Sequence, residues 1–167
     1  MQPKEIACRY SVRALNESDV AQVYRLLCGN PLFYEYHPPR PTEESVLSDM
    51  RALPNGKSRS EKWYVGFFDG ADLVAVADIV WNYPQNGTAF IGFFMTAAEK
   101  QGQGLGSFLV SETCAYFLRQ GMRKTRLAVD EGNPQSEAFW RKNAFLPTGE
   151  RKENEFGAYV LYERILK

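Results

Sequence analysis

Between Lys62 and Met95 the chain carries three consecutive runs rich in β-branched and aromatic residues, "KWYVGFFDG", "ADLVAVADIVWNYP" and "GTAFIGFFM", each bounded by turn residues. This pattern predicts three antiparallel strands in a meander, the first pair joined through Asp69-Gly70. The period then changes. "EKQGQGLGSFLVSETCAYFLRQG" is a glycine run that opens an apolar helix ending at Gly121. A strand "TRLAVD", a helix "NPQSEAFWRKN" with Pro134 near its first turn, and two strands "PTGERKE" and "AYVLYERIL" complete the order. A meander followed by a βαβα stretch does not fit a doubly wound parallel sheet. It predicts an α/β (α+β) protein with a mixed central sheet of about six or seven strands and helices on both faces.

Upstream, "YSVRAL" alternates as a strand does, and "NESDVAQVYRLLCGN" has helical spacing, with Asn16 or Ser18 as cap and Gly29-Asn30 as stop. "PLFYEYHPPRP" reads as an aromatic loop broken by prolines, and "TEESVLSDMRALPNG" as a helix ending before Pro54. Thr42 followed by Ser45 is a weak capping-box pattern for that helix. The 167 residues carry no linker, repeat or low-complexity segment, so a single domain over 1–167 is expected.

Lys plus Arg and Asp plus Glu both number 20, giving a formal net charge of zero. That removes the electrostatic case for nucleic acid or an anionic membrane surface as partner. No apolar run is long enough to span a bilayer, and "MQPKEIACRYSV" lacks the apolar core of a secretory signal, so cytoplasm is the expected compartment. Cys8, Cys28 and Cys114 are odd in number, widely separated and outside any CxxC, which argues against a disulfide framework and a zinc site. His37 is the only histidine, so no His-pair metal motif exists and no metal is expected.

Glycines placed directly before a helix suit an anion, because they let a ligand approach the main chain while the helix N-terminus presents unpaired N–H groups. A dinucleotide fingerprint would want G-x-G-x-x-G opening a βαβ unit, but Gly102, Gly104 and Gly106 have different spacing and follow a meander. Gly56-Lys57-Ser58 resembles the end of a P-loop, with Arg51 where its first glycine belongs.

"QGQGLG" resembles the Q/R-x-x-G-x-G/A motif of the GCN5-related N-acetyltransferases, with Gln101, Gly104 and Gly106 in the three motif positions. The stretch "RLAVD" to "GNPQSEAFWRKNAF" is similar to the next strand and helix of that family, and the order of elements agrees over nearly the whole chain. The resemblance implies acetyl-CoA as cofactor. It assigns the pyrophosphate to the main chain of Gln101, Gly102, Gln103, Gly104, Leu105, Gly106 and Ser107, and the pantetheine arm to the backbone of Phe94, Met95 and Thr96. Asn133, Ser136 and Trp140 fall where the family contacts the rest of the cofactor. The implied activity is direct transfer of acetyl to a primary amine of a small acceptor, and a homodimer is compatible with it. A catalytically lapsed CoA-binding module and a nucleotide-binding regulator are the alternatives.

The sequence departs from the family at three places. Asn143-Ala144-Phe145 replaces x-Gly-Phe, and Asn143 is expected to supply the left-handed cap. Trp140 replaces a tyrosine that protonates the departing thiolate in many members; an indole N–H donates a hydrogen bond but is no practical acid. The strand "TAFIGFFM" also lacks the family's glutamate base. Asp78, a carboxylate in an otherwise apolar strand, is the expected base, with Glu35 and His37 as weaker candidates. Phe33, Tyr34, Tyr36 and His37 are expected to border the acceptor pocket or to anchor the loop as core aromatics.

Overall fold

The structure, a computed structural model, describes residues 2–6 and 9–167. The three apolar runs form adjacent antiparallel strands, β2 (Lys62–Asp69), β3 (Asp72–Trp81) and β4 (Thr88–Thr96), and β1 (Ser11–Ala14) adds antiparallel to the free edge of β2. The β2–β3 hairpin closes through Gly70 and Ala71, with Asp69 opposite Asp72 and Gly70 at φ +61°. A glycine meets that dihedral without steric cost. After β4 the chain crosses over through helix α4 (Leu105–Arg119), so β5 (Lys124–Asp130) lies parallel to β4. Helix α5 (Pro134–Lys142) follows, then the antiparallel pair β6 (Leu146–Asn154) and β7 (Gly157–Ile165), with β7 inserted beside β5. The seven-stranded order is β1-β2-β3-β4-β5-β7-β6.

Two clusters cover the two faces of this sheet. On one face α4 lays Leu109, Val110, Cys114, Tyr116 and Phe117 over Val65, Phe67, Ala77, Ile79, Ile91 and Leu127. Burying each large apolar side chain stabilises the fold by about 1.5–3 kcal/mol. On the other face α1 (Val20–Cys28) and α3 (Glu43–Arg51) bury Val23, Leu26, Leu27, Val46 and Met50 against Tyr64, Phe68, Val76 and Met95. The helix ends follow local chemistry. Asn16 Oδ1 accepts the Ser18 N–H at 2.9 Å in the turn that leads into α1, and Thr42 and Ser45 exchange hydrogen bonds of 3.0 and 2.9 Å at the start of α3.

Two local expectations change. The segment 31–41 is not wholly irregular, because Phe33–Tyr36 form a single helical turn, α2, before the prolines. At the end of α5 the left-handed residue is Ala144 at φ +64°, while Asn143 stays at −92°. Chain geometry therefore requires the left-handed residue at the very position where the family carries glycine. Asn143 instead uses its amide to donate to the Phe139 carbonyl at 2.8 Å. Cys28 and Cys114 are free thiols, and Cys8 lies outside the described residues.

Candidate active site

The parallel pairing of β4 with β5 covers only Thr88–Ile91 against Lys124–Leu127. Beyond that point β4 runs on to Thr96 and β5 to Asp130 without pairing to each other. At the same level β4 carries a bulge, since the register passes from Asp78 opposite Phe93 to Ile79 opposite Ile91 and leaves Gly92 as the extra residue. A bulge bends its strand and leaves that residue out of the ladder. The result is a wedge in the middle of the sheet. A cleft of about 630 Å³ occupies it, lined by Gly92 to Thr96 on one wall and Leu127 to Asp130 on the other. Strand edges exposed inside a cleft offer N–H and C=O groups to an extended ligand that carries its own donors and acceptors.

One end of the cleft is the glycine loop. Gly102 and Gly104 adopt φ +71° and +82°, and a Cβ on either would meet nothing within 4 Å, so these glycines serve backbone conformation rather than crowding. Gly106 has the opposite reason. A Cβ there would lie 3.0 Å from the Phe139 ring, so the glycine permits close approach of α4 to α5. Gly104 immediately precedes α4, and the first turn (Leu105, Gly106, Ser107) lines the cleft with no acidic side chain in it. Those N–H groups have no partner within the helix, and the helix dipole adds positive potential. Open glycines and an undischarged helix terminus fit a diphosphate.

Polar side chains hold this loop in place. Asn30 Nδ2 donates to the carbonyls of Leu26 (3.0 Å) and Thr96 (3.2 Å), while its Oδ1 accepts from Gln101 Nε2. Gln101 Nε2 also reaches Thr96 O at 3.3 Å. The end of α1, the end of β4 and the loop are thereby tied at one point. Gln101 lines the cleft but spends its amide on this network, and Gln103 lies outside the lining with Nε2 donating to the Glu99 carbonyl at 2.8 Å.

Helix α5 forms the neighbouring wall. Asn133, only 2% exposed, caps it by accepting the Ser136 N–H at 3.0 Å and stays out of the cleft, whereas Ser136, Phe139 and Trp140 line it. Trp140 is buried among Phe94, Phe139 and Phe145, with ring centroids 5.0–6.0 Å away. The indole is a wall of the cleft.

Phe33 and His37, from α2 and its C-terminal residue, line the same cleft. Tyr34 and Tyr36 are not brought in. Tyr34 turns to the α1/α3 core, where burial pushes its phenol well above the usual range, and Tyr36 is exposed. His37 Nδ1 lies 2.9 Å from Asp130 Oδ2, joining α2 to the last residue of β5 across the mouth of the wedge. This contact raises the imidazole pKa, against the opposing effect of burial, and the Asp49 carboxylate adds to the rise.

Asp78 is placed differently from the expectation. It does not line the cleft; it lies behind Gly92, whose absent Cβ would sit 3.1 Å from Oδ2. Lys62 Nζ, with a side chain only 3% exposed, lies 3.0 Å from Asp78 and donates to the Asp49 and Ala52 carbonyls at 2.6 and 2.7 Å. Burial raises the Asp78 pKa, as anticipated, while Lys62 pulls it down. The reason it stays outside is topological: its neighbour across the ladder is the bulge, and the ammonium behind the sheet claims the carboxylate.

Sequence reasoning passed over Asn30, Asp130, Gln135, Lys142, Asn154 and Tyr159, all of which line the cleft. Asp130 alone had a readable signal, as the carboxylate closing "TRLAVD", because ligands gather at the carboxyl ends of parallel strands.

A mixed sheet splayed between two parallel strands, with an open glycine loop before a helix beside the splay, is the arrangement of a coenzyme-A-dependent acyltransferase. The chain belongs to the Acetyltransferase (GNAT) family, whose model matches residues 21–145, and it is accordingly an N-acetyltransferase that uses acetyl-CoA. It is 27% identical over 165 residues to a ribosomal-protein-serine acetyltransferase of Escherichia coli (strain K12), covering 93% of this chain and 92% of that protein. Among solved structures, an acetyltransferase from Thermus thermophilus is similar with a TM-score of 0.76 and 20% identity, over 99% of this chain and 100% of that one. The ribosomal L7/L12 α-N-protein acetyltransferase RimL, solved with coenzyme A, matches with a TM-score of 0.74 and 21% identity, over 98% and 97% of the two chains.

Proposed function

We propose that the chain transfers acetyl directly to a primary amine, with both substrates held together in the wedge. The observation that carries this reading is the end of β4–β5 pairing at Ile91 and Leu127, which opens one cleft lined both by the glycine loop and by His37, Asp130 and Tyr159. The first-turn N–H groups of α4 would hold the diphosphate, and the unpaired edge of β4 from Phe93 to Met95 would hold the arm. The bound cofactor supplies an acetyl thioester, an electrophile that a neutral amine attacks.

Phe94, Phe139 and Trp140 exclude water around the point of transfer and fix the ligand by shape. Because a thiol has a pKa near ~8.5, the departing sulfur leaves close to neutral pH with a hydrogen bond or a water to assist it, so the buried indole of Trp140 is compatible with turnover. Two of the proteins named above are ribosomal-protein acetyltransferases, and a chimera of the Vibrio cholerae spermidine N-acetyltransferase SpeG with hSSAT shares the fold with a TM-score of 0.71. The acceptors to try are therefore peptides with a free N-terminal Ser or Ala, spermidine, and single amino acids.

The test is release of free thiol from acetyl-CoA across this panel, with mass spectrometry of the acceptor. A mass gain of one acetyl group on an amine supports the reading. Coenzyme A binding with no thiol release from any acceptor would leave a binding module instead.

A further inference from the structure

We propose that His37, oriented by Asp130, is the catalytic residue that takes the proton from the acceptor ammonium. The inference rests on the acetyl-transfer reading above and assigns the proton acceptor that the sequence had sought at Asp78. Three observations carry it. His37 and Asp130 both line the cleft that the glycine loop also lines. Their contact is a hydrogen bond of 2.9 Å through Nδ1. The pair also bridges two elements with independent supports: Phe33 holds the imidazole, ring centroids 5.1 Å apart, and β7 holds Asp130 in register with Tyr159.

The chemistry follows from the pairing. A carboxylate accepts the Nδ1 proton and so fixes the tautomer in which Nε2 carries the lone pair. An acceptor arrives as R–NH₃⁺ and must become R–NH₂ before its nitrogen can attack. His37 Nε2 takes that first proton, directly or through a water, and the imidazolium so formed is stabilised by Asp130. The C–N bond then forms as the C–S bond breaks, the second amine proton ends on the sulfur, and His37 returns its proton to solvent. The balance is R–NH₃⁺ + CH₃CO–S–CoA → R–NH–COCH₃ + HS–CoA + H⁺, with no other reactant required.

The charged groups facing the imidazole are Asp130 from β5 and Asp49 from α3, and both favour its protonated form. Burial raises the pKa of Asp49 itself, against the opposing pull of Lys62 and His37. Asp78 lies beyond this pair, behind Gly92 and engaged by Lys62. The rate therefore rises with pH as His37 loses its proton, along a limb set above the pKa of a free imidazole.

His37 is the single histidine of the chain, so its ring resonances are unambiguous. The experiment pairs a ¹⁵N–¹H NMR titration of the imidazole in the free protein with kcat/KM against pH for acetyl-CoA and a serine-initiated peptide or spermidine. The expected wild-type result is an Nδ1–H tautomer and an NMR pKa that coincides with the acidic limb. Asp130→Asn should lower both together and reduce kcat, and His37→Gln should remove the limb and lower kcat by ~10²–10⁴-fold with little change in coenzyme A affinity. His37→Gln with wild-type kcat, or an Asp130→Asn protein whose NMR pKa falls while the limb stays, overturns the proposal. Loss of the limb in Asp78→Asn with His37 intact and still titrating would return the role to Asp78 and equally overturn it. Wild-type protein that neither binds coenzyme A nor releases thiol would refute the acetyltransferase reading itself, whatever the NMR titration gives.

Discussion

Gly104 offers a way to separate backbone strain from charge at the diphosphate cradle. It stands at φ +82° and ψ −4° directly before α4, and a Cβ added there meets nothing within 4 Å. Asn and Asp have nearly the same size and both tolerate the left-handed region better than other side chains, at a strain of about 1–2 kcal/mol or less. For a chain of this length that lowers Tm by roughly 2–6 °C, similarly for Gly104→Asn and Gly104→Asp. Their difference is one negative charge. A unit pair at ~4 Å in an effective dielectric of ~20 costs about 4 kcal/mol. Halving this for salt screening leaves about 2 kcal/mol, or ~30-fold in Kd. We expect Gly104→Asn to bind coenzyme A less than ~10-fold more weakly than wild type by calorimetry, and Gly104→Asp to lose a further ~30-fold or more. Added salt should narrow the gap. Equal Kd values for two folded variants would show that no anion sits at this helix end.

Other perturbations act elsewhere in the fold. Lys62→Met leaves the buried Asp78 carboxylate unpaired and should cost about 3–5 kcal/mol by chemical denaturation, with the loss in Lys62→Met/Asp78→Asn smaller than the sum of the single changes. Ala144→Gly relieves left-handed strain of ~1–2 kcal/mol against ~0.4–1 kcal/mol of extra unfolded-state entropy, so a Tm rise of about 1–2 °C is expected, and a fall would refute the strain. Asp19 accepts two Arg13 hydrogen bonds of 2.9 and 2.7 Å that hold its carboxyl below the usual range. Its contribution is complete above the unfolded pKa of ~3.9 and disappears as pH falls through the folded value, so the stability of Asp19→Asn should vary less with pH between pH ~5 and ~2. Trp140→Phe should change kcat only modestly, because the indole packs and does not protonate; a ~10²–10⁴-fold fall with coenzyme A affinity preserved would assign it the proton.

Most of the fold was legible because its elements are locally encoded. The meander shows as three runs rich in β-branched and aromatic residues between turn signals, α3 and α5 carry their caps at Thr42 and Asn133, and Gly121 marks the end of α4 at φ +85°. The glycine loop and the helix it opens were legible for the same reason, since they are contiguous in the chain. The surroundings of His37 were legible only in part: Phe33 and His37 were expected to border a pocket and do line the cleft, but nothing in a linear reading sets His37 beside Asp130, 93 positions away. Asp78 was named as the expected base, but its place behind Gly92 was not legible, because a strand pattern does not say what lies in front of a residue. The bulge at Gly92 decides that; the isolated glycine in an apolar run marks it, but does not say what the bent strand will cover.

The seam between β4 and β5 has a mechanical consequence as well. Strands β1 to β4 form one half of the sheet and β5 to β7 the other, and within the sheet only the four register pairs from Thr88–Lys124 to Ile91–Leu127 join them. A sheet stitched at one end of its midline behaves as two plates on a short hinge, stiff near Thr88 and compliant toward Thr96 and Asp130. An extended ligand bonded to both free margins adds the missing stitches and acts as a rivet between the plates. Amide exchange at 92–96 and 128–130 should then slow on binding far more than exchange at 88–91, and breathing of the two halves should be damped most where the ligand is longest held.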